Sequence, residues 1–120
     1  MRLLVCGSRS YSDYRTVDEI LDGIHKAHNV SVLIEGGALG ADRFARMWAR
    51  TRNIDVNTFE ADWAHHGRSA GMQRNERMLR EGKPELVVAF VDKPLHQSKG
   101  TANMVNLARR DSVPVSVIEP

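Results

Sequence analysis

Three short stretches place glycine beside groups that handle anions. CGSRSYSD at 6–13 carries Gly7, Ser8, Arg9 and Asp13, EGGALGAD at 35–42 runs from Glu35 through Gly36, Gly37, Ala38, Gly40 and Ala41 to Asp42, and DKPLHQSKGT at 92–101 ends in Lys99, Gly100 and Thr101. Glycine lets backbone approach a ligand closely and adopt positive φ. Where a helix follows, its first amides donate to an anion with the help of the helix dipole. A tight strand-to-helix turn needs glycine for its own sake, so one such loop supports either reading. Three that meet at one edge of a sheet point to a phosphate-bearing ligand.

A fourth stretch adds side chains. At 3.6 residues per turn Gly71, Arg74, Asn75 and Met78 share a helix face, which sets an arginine and an asparagine among residues that pack inward. Polar groups placed there need partners, either loop carbonyls or the phosphate and sugar of a ligand. Among the carboxylates, Glu35 ends an apolar run, Asp62 lies next to Trp63, and Asp13 precedes a Thr16–Glu19 capping box and so is not needed as that cap. Glu35 and Asp62 are the candidates for acid–base work or for holding ribose hydroxyls. Asp42 opens a helix, where a negative charge is favourable in any case. Trp63 is placed to stack on a base or simply to pack. His65 and His66 are adjacent, and His25 and His28 are three apart, but neither set comes with a third ligand, so no metal is expected. The sequence has no G-x-S-x-G elbow, P-loop lysine or Cys/His pair, so acyl transfer and P-loop hydrolysis lack their parts and no cofactor is expected.

The elements that must carry these loops alternate between strand and helix. Leu3–Cys6, Val32–Ile34, the alternating Ile54, Val56 and Thr58, Leu86–Val91 and Val113–Ile118 read as strands. Helical periods follow from Thr16, from Ala41, from about Ser69 to Glu81 and from about Thr101 to Arg110. Parallel strands need long crossovers, and crossover helices shield both faces, so the expected fold is a three-layer α/β Rossmann-like sheet. Unbroken apolar runs mark the first and fourth strands as central, while the polar third strand and the fifth, with Pro114, read as edges; the order is then 3-2-1-4-5. Right-handed crossovers put a crevice over the carboxyl ends of strands 1 and 4.

Composition fits this reading and narrows it. The 120 residues suit one domain over 1–120, and 42% hydrophobic with 27% charged residues is ordinary for a globular chain. No segment has the length of a signal core or membrane span, so a cytoplasmic protein with no membrane partner is expected. Cys6 stands alone and suits a buried strand position. A formal charge of +2 and 6% aromatic residues argue against a nucleic-acid partner, which wants a broad basic track and stacking rings. Thirteen of the seventeen basic residues are arginine, the side chain suited to bidentate phosphate contacts. The fold class often pairs, which leaves a homo-oligomer open.

GSR at 7–9 with Asp13, EGGALGAD at 35–42, ADWAHHGRSAGMQRNERML at 61–79 and KGTANM at 99–104 together resemble the DUF2493 group, also described as YspA or cpYpsA-related domains of the SLOG superfamily. The likeness covers essentially the whole chain. It implies a Rossmann-like domain that binds a nucleotide or a nucleotide-derived ligand such as an ADP-ribose derivative, acting as a sensor or sequestering module, as relatives in bacterial and phage-related immunity do. The same superfamily includes the LOG phosphoribohydrolases and the DNA-processing protein DprA, and the alternative function it implies is cleavage of an N-glycosidic or phosphoribosyl bond. LOG enzymes carry G-G-x-G-T-x-x-E. Here Gly100 and Thr101 stand in register with its G-T, but Ser98 and Lys99 interrupt the glycines and Met104 takes the place of the glutamate. The resemblance therefore implies ligand binding more strongly than turnover.

Overall fold

The computed structural model describes residues 1–120. Five strands, β1 (Arg2–Gly7), β2 (Val32–Glu35), β3 (Asp55–Thr58), β4 (Leu86–Phe90) and β5 (Val115–Ile118), form one parallel sheet in the order β3-β2-β1-β4-β5. The helices are α1 (Tyr14–His28), α2 (Ala41–Thr51), the short α3 (Trp63–His66), α4 (Ala70–Gly82) and α5 (Lys99–Arg110). The expected order holds for the expected reason. Leu3, Leu4 and Val5 in β1 and Val87, Val88 and Ala89 in β4 are fully buried on both faces, whereas no residue of β3 or β5 is.

Strand alternation divides the core into two layers. Leu3, Val5, Leu33, Val88 and Phe90 face α1 and α2, where Val17, Leu21, Ala45, Trp48 and Ala49 meet them. Leu4, Cys6, Ile34, Val87 and Ala89 face α4 and α5 and meet Met78, Leu79, Met104, Val105 and Ala108. The sheet and its two helix layers thus aim the carboxyl ends of β1 and β4 at the amino-terminal ends of the helices that follow.

Helix starts depart from the sequence reading at two places. α1 begins at Tyr14, and Asp13 is its cap: Asp13 Oδ1 accepts Thr16 N at 3.1 Å and Oδ2 accepts the Thr16 hydroxyl at 2.6 Å. Thr16 therefore sits inside the helix, and the expectation that Asp13 was not needed as a cap is corrected. α5 begins two residues before Thr101, at Lys99, which brings Lys99 and Gly100 into its first turn.

Candidate ligand-binding site

A cavity of about 520 Å³ opens at the carboxyl edge of the sheet where the strand order reverses between β1 and β4. Cys6, Met78 and Met104, all from the α4–α5 layer of the core, line its apolar part. Gly7, Ser8, Arg9 and Ser10 of the β1–α1 loop form one wall, and Lys93, Gln97 and Ser98 with the first turn of α5 form the opposite one. Hydrogen bonds tie the two walls together. Ser8 N donates to the Phe90 carbonyl at 3.0 Å, Asp92 N donates to Ser8 Oγ at 3.3 Å, and the Ser10 hydroxyl donates to Asp92 Oδ2 at 2.5 Å, which holds the Asp92 carboxyl below its ordinary range.

The β2–α2 loop approaches the same cavity, but its donors turn inward. Asp42, at the first turn of α2, is 5% exposed, and its Oδ2 accepts Gly36 N at 3.0 Å and Ala38 N at 3.3 Å. Glu35 is fully buried; its Oε1 accepts Gly37 N at 2.7 Å and its Oε2 accepts the Thr58 hydroxyl. Gly40 lies so close to the β1–α1 loop that a Cβ there would sit 2.3 Å from the Ser8 carbonyl oxygen and 2.6 Å from that of Arg9, at φ +72°. Ala41 N donates to the Ser8 carbonyl at 3.3 Å. Only Ala38 and Asp42 from this loop reach the cavity wall. Asp42 Oδ1 accepts nothing from the chain. Burial pushes the Asp42 carboxyl up to about 6, opposed by its bond from Ala38 N and reinforced by nearby Glu35.

The amino-terminal end of α5 is built differently. Ser98 is 9% exposed, and its hydroxyl is the one buried side-chain polar atom with no hydrogen-bond partner. Ser98 accepts Ala102 N through its carbonyl at 2.8 Å, and no acceptor in the chain is within bonding distance of the amides of Lys99, Gly100 and Thr101. These groups all lie on the cavity wall.

α4 contributes the face that its sequence period predicts, with Gly71, Arg74, Asn75 and Met78 all at the cavity. Arg74 Nη1 donates to the Gly36 carbonyl at 2.5 Å and Nε to Asn75 Oδ1 at 3.0 Å. Asn75 Nδ2 in turn donates to the Gly100 carbonyl at 3.2 Å and to Asn103 Oδ1 at 3.0 Å, so this pair braces both loops. Arg74 Nη2 has no partner in the chain. Burial lowers the Arg74 guanidinium from its ordinary value and raises the Cys6 thiol well above its own, with Asp42 adding to the rise at Cys6. At the mouth, Trp63 is half exposed and the Arg9 guanidinium lies 5.9 Å from its ring centre.

Several residues proposed from the sequence stand elsewhere. Asp13 caps α1 beside a separate surface hollow, and Asp62 caps α3, accepting His65 N at 3.2 Å and His65 Nδ1 at 2.7 Å; the side-chain bond holds its carboxyl below the ordinary range. Glu35, Gly36, Gly37, Gly40 and Ala41 lie behind the wall, which leaves Asp42 as the one carboxylate lining the cavity. Cys6, Ser10, Lys93, Gln97 and Ser98 line it although the sequence reading did not place them there. Ser98 carried a usable signal, because Ser is a favoured residue just before a helix and Lys99–Arg110 has no other candidate cap. No group of three or more His, Cys, Asp or Glu side chains is close enough to hold a metal ion. No helix is long and apolar enough to cross a membrane.

The profile of the YspA, cpYpsA-related SLOG family matches residues 1–66. The Gene 61 protein of Mycobacterium phage D29 is 37% identical over 120 aligned residues, spanning 95% of this chain and 93% of the phage protein. DNA processing protein A (DprA) from Streptococcus pneumoniae has a similar fold, with a TM-score of 0.76 at 15% identity; the match takes in 97% of this chain but about half, 49%, of the DprA chain.

Proposed function

The chain belongs to the YspA, cpYpsA-related SLOG family, and from that membership we propose that the cavity binds a nucleotide or nucleotide-derived ligand, with a phosphate at the amino-terminal end of α5. One observation carries this reading: the buried Ser98 hydroxyl and the unspent amides of Lys99, Gly100 and Thr101 converge on the cavity without an acceptor. A buried donor left unpaired costs about 1–3 kcal/mol, and a phosphate oxygen would relieve that cost. Lys99 and the free edge of Arg74 add positive charge, and the Arg9–Trp63 pair at the mouth offers an aromatic face to a base. Asp42 Oδ1 supplies an acceptor for a ribose hydroxyl. The protein then serves as a cytoplasmic sensor or sequestering domain for a phosphorylated ribose ligand, such as an ADP-ribose derivative in bacterial or phage immunity signalling.

Thermal melting against a panel of 5′-mononucleotides, dinucleotides and ADP-ribose variants tests it. Phosphate-bearing ligands should raise the melting temperature and free ribose or nucleosides should not; at about 100 times the dissociation constant the gain is about 2.7 kcal/mol. No shift across the panel refutes the reading.

Hydrolysis of an N-glycosidic or phosphoribosyl bond is the second reading, and one observation favours it: Asp42 is the one carboxylate lining the cavity, and its burial pushes the carboxyl up to about 6, a range that suits a general acid or base. Glu35 and Asp62, the carboxylates that the sequence offers for that work, are engaged elsewhere, so the role would fall to Asp42. Chromatography of nucleoside monophosphates after long incubation separates the readings, since release of free base above a heat-killed control would put turnover first.

A further inference from the structure

We propose that the face of α4 beyond Arg74 holds a second anion site, so that the full ligand is a nucleotide carrying phosphates at two separated positions rather than a lone 5′-monophosphate. The inference rests on the nucleotide reading of the first cavity. A second cavity, about 430 Å³, opens alongside the first, and Arg74 belongs to the walls of both. Arg77 and Arg80 follow Arg74 on the same helix face at steps of three, and His66 of α3 adds a second kind of donor.

The carboxylates in this wall are already engaged. Asp62 takes both the backbone and ring nitrogens of His65, and Glu76 pairs with Arg110 at 3.1 Å. Neither Arg74 nor Arg77 forms an ion pair. Arg77 instead donates to the Glu60 carbonyl at 2.9 Å and lies over the Phe59 ring at 5.6 Å, so it is partly buried and held in place. Arg80 reaches only its neighbour Glu81, at 3.5 Å, and is otherwise exposed. A guanidinium that is held in place, partly buried and outside any ion pair offers the planar fork that phosphate accepts. Arg74 joins the two compartments, since Nε and Nη1 are committed to Asn75 and Gly36 while Nη2 stays free. A phosphate held at α5 and another beyond Arg74 belong to one molecule with its anionic groups apart.

Titration calorimetry with adenosine 5′-monophosphate and adenosine 3′,5′-bisphosphate tests this on the wild type, on Arg80→Gln, and on Arg77→Gln combined with Arg80→Gln. Arg80 is exposed, so its single replacement leaves the fold intact even if loss of the Arg77–Phe59 contact weakens the double variant. The wild type should prefer the bisphosphate by roughly tenfold or more, the difference made by one charge-assisted contact. The single variant should lose part of that preference and the double variant nearly all of it, with affinity for the monophosphate held within about twofold. Equal wild-type affinities, or a preference that both variants keep, overturn the second site and leave the first standing. Failure of both nucleotides to bind overturns the reading of the first cavity and this inference with it. A short single-stranded oligonucleotide that displaces the bisphosphate, depends on the same arginines and weakens steeply with salt would assign them to a polynucleotide backbone and overturn the small-ligand proposal.

Discussion

The β2–α2 and β4–α5 loops have the same task in the fold, turning a central or near-central strand into a helix at the carboxyl edge, yet they spend their donors in opposite ways. The first has three glycines, and the amides of Gly36, Gly37 and Ala38 all close onto carboxylates of their own segment, Asp42 and Glu35. The second has one glycine, and the Ser98 hydroxyl with the amides of Lys99, Gly100 and Thr101 bonds to nothing in the chain. Glycine content therefore follows how closely backbones must pass, as Gly40 passes Ser8. Ligand capacity follows which donors are left over once the chain has satisfied itself.

The largest effect that separates the loops is steric. Gly40→Ala should cost about 3 kcal/mol or more in urea unfolding, since the added Cβ meets two backbone carbonyls and the left-handed φ adds strain. Gly100→Ala should instead stabilise by about 0.5–1 kcal/mol, because the site is helical and nothing lies within 4 Å of the new atom. If the two substitutions unfold alike, the contrast between a loop packed on itself and one left open does not hold.

Asp42 offers a test through pH. Its folded value, about 6, is raised from 3.8, so the stability it contributes is complete below 3.8 and is lost as pH rises through 6. Asp42→Asn removes that loss. The variant should be more stable than wild type at pH 7.5 by no more than about 3 kcal/mol, and the gap should close on going to pH 4. A variant that is the weaker of the two at pH 7.5 would mean that the bonds to Gly36 and Ala38, with the Arg74 charge, outweigh burial. Next in size is Arg74→Ala, expected to lower unfolding free energy by about 1–3 kcal/mol without ligand, because the Gly36 carbonyl and Asn75 Oδ1 lose their donor. Calorimetry on the same protein should also show weaker nucleotide binding; stability lost with affinity kept would make Arg74 a brace for the loops alone.

The sheet order was legible because burial on two faces writes itself as an unbroken apolar run, in Leu3–Cys6 and Leu86–Val91, and exposure as polar interruption. The α4 face was legible too, since period 3.6 places Gly71, Arg74, Asn75 and Met78 together whatever they touch. Helix starts were harder. Asp13 and Thr16 are both residue types favoured at a helix N-cap, and only the path of the chain decides between them. Ser10, Lys93 and Gln97 sit in loops without a period, so their convergence depends on the fold alone. Glu35 shows the deeper limit: a carboxylate at a strand end reads as a ligand group, and the Thr58 hydroxyl on a neighbouring strand is what absorbs it.

The smallest effect isolates the open loop. Ser98→Ala removes a buried hydroxyl that has no partner, so in the absence of ligand the change should leave stability equal or raise it by about 1 kcal/mol. The α5 cap would not suffer, because no amide of the helix accepts help from that side chain in the first place. Nucleotide affinity should move the other way, falling by about 1 kcal/mol, or some fivefold, as the ligand's phosphate loses one donor while the amides of Lys99, Gly100 and Thr101 remain. Opposite signs in the two measurements are what a donor held for a ligand produces. A structural serine would lower stability and leave affinity alone, and melting and calorimetry on one protein preparation tell the two apart.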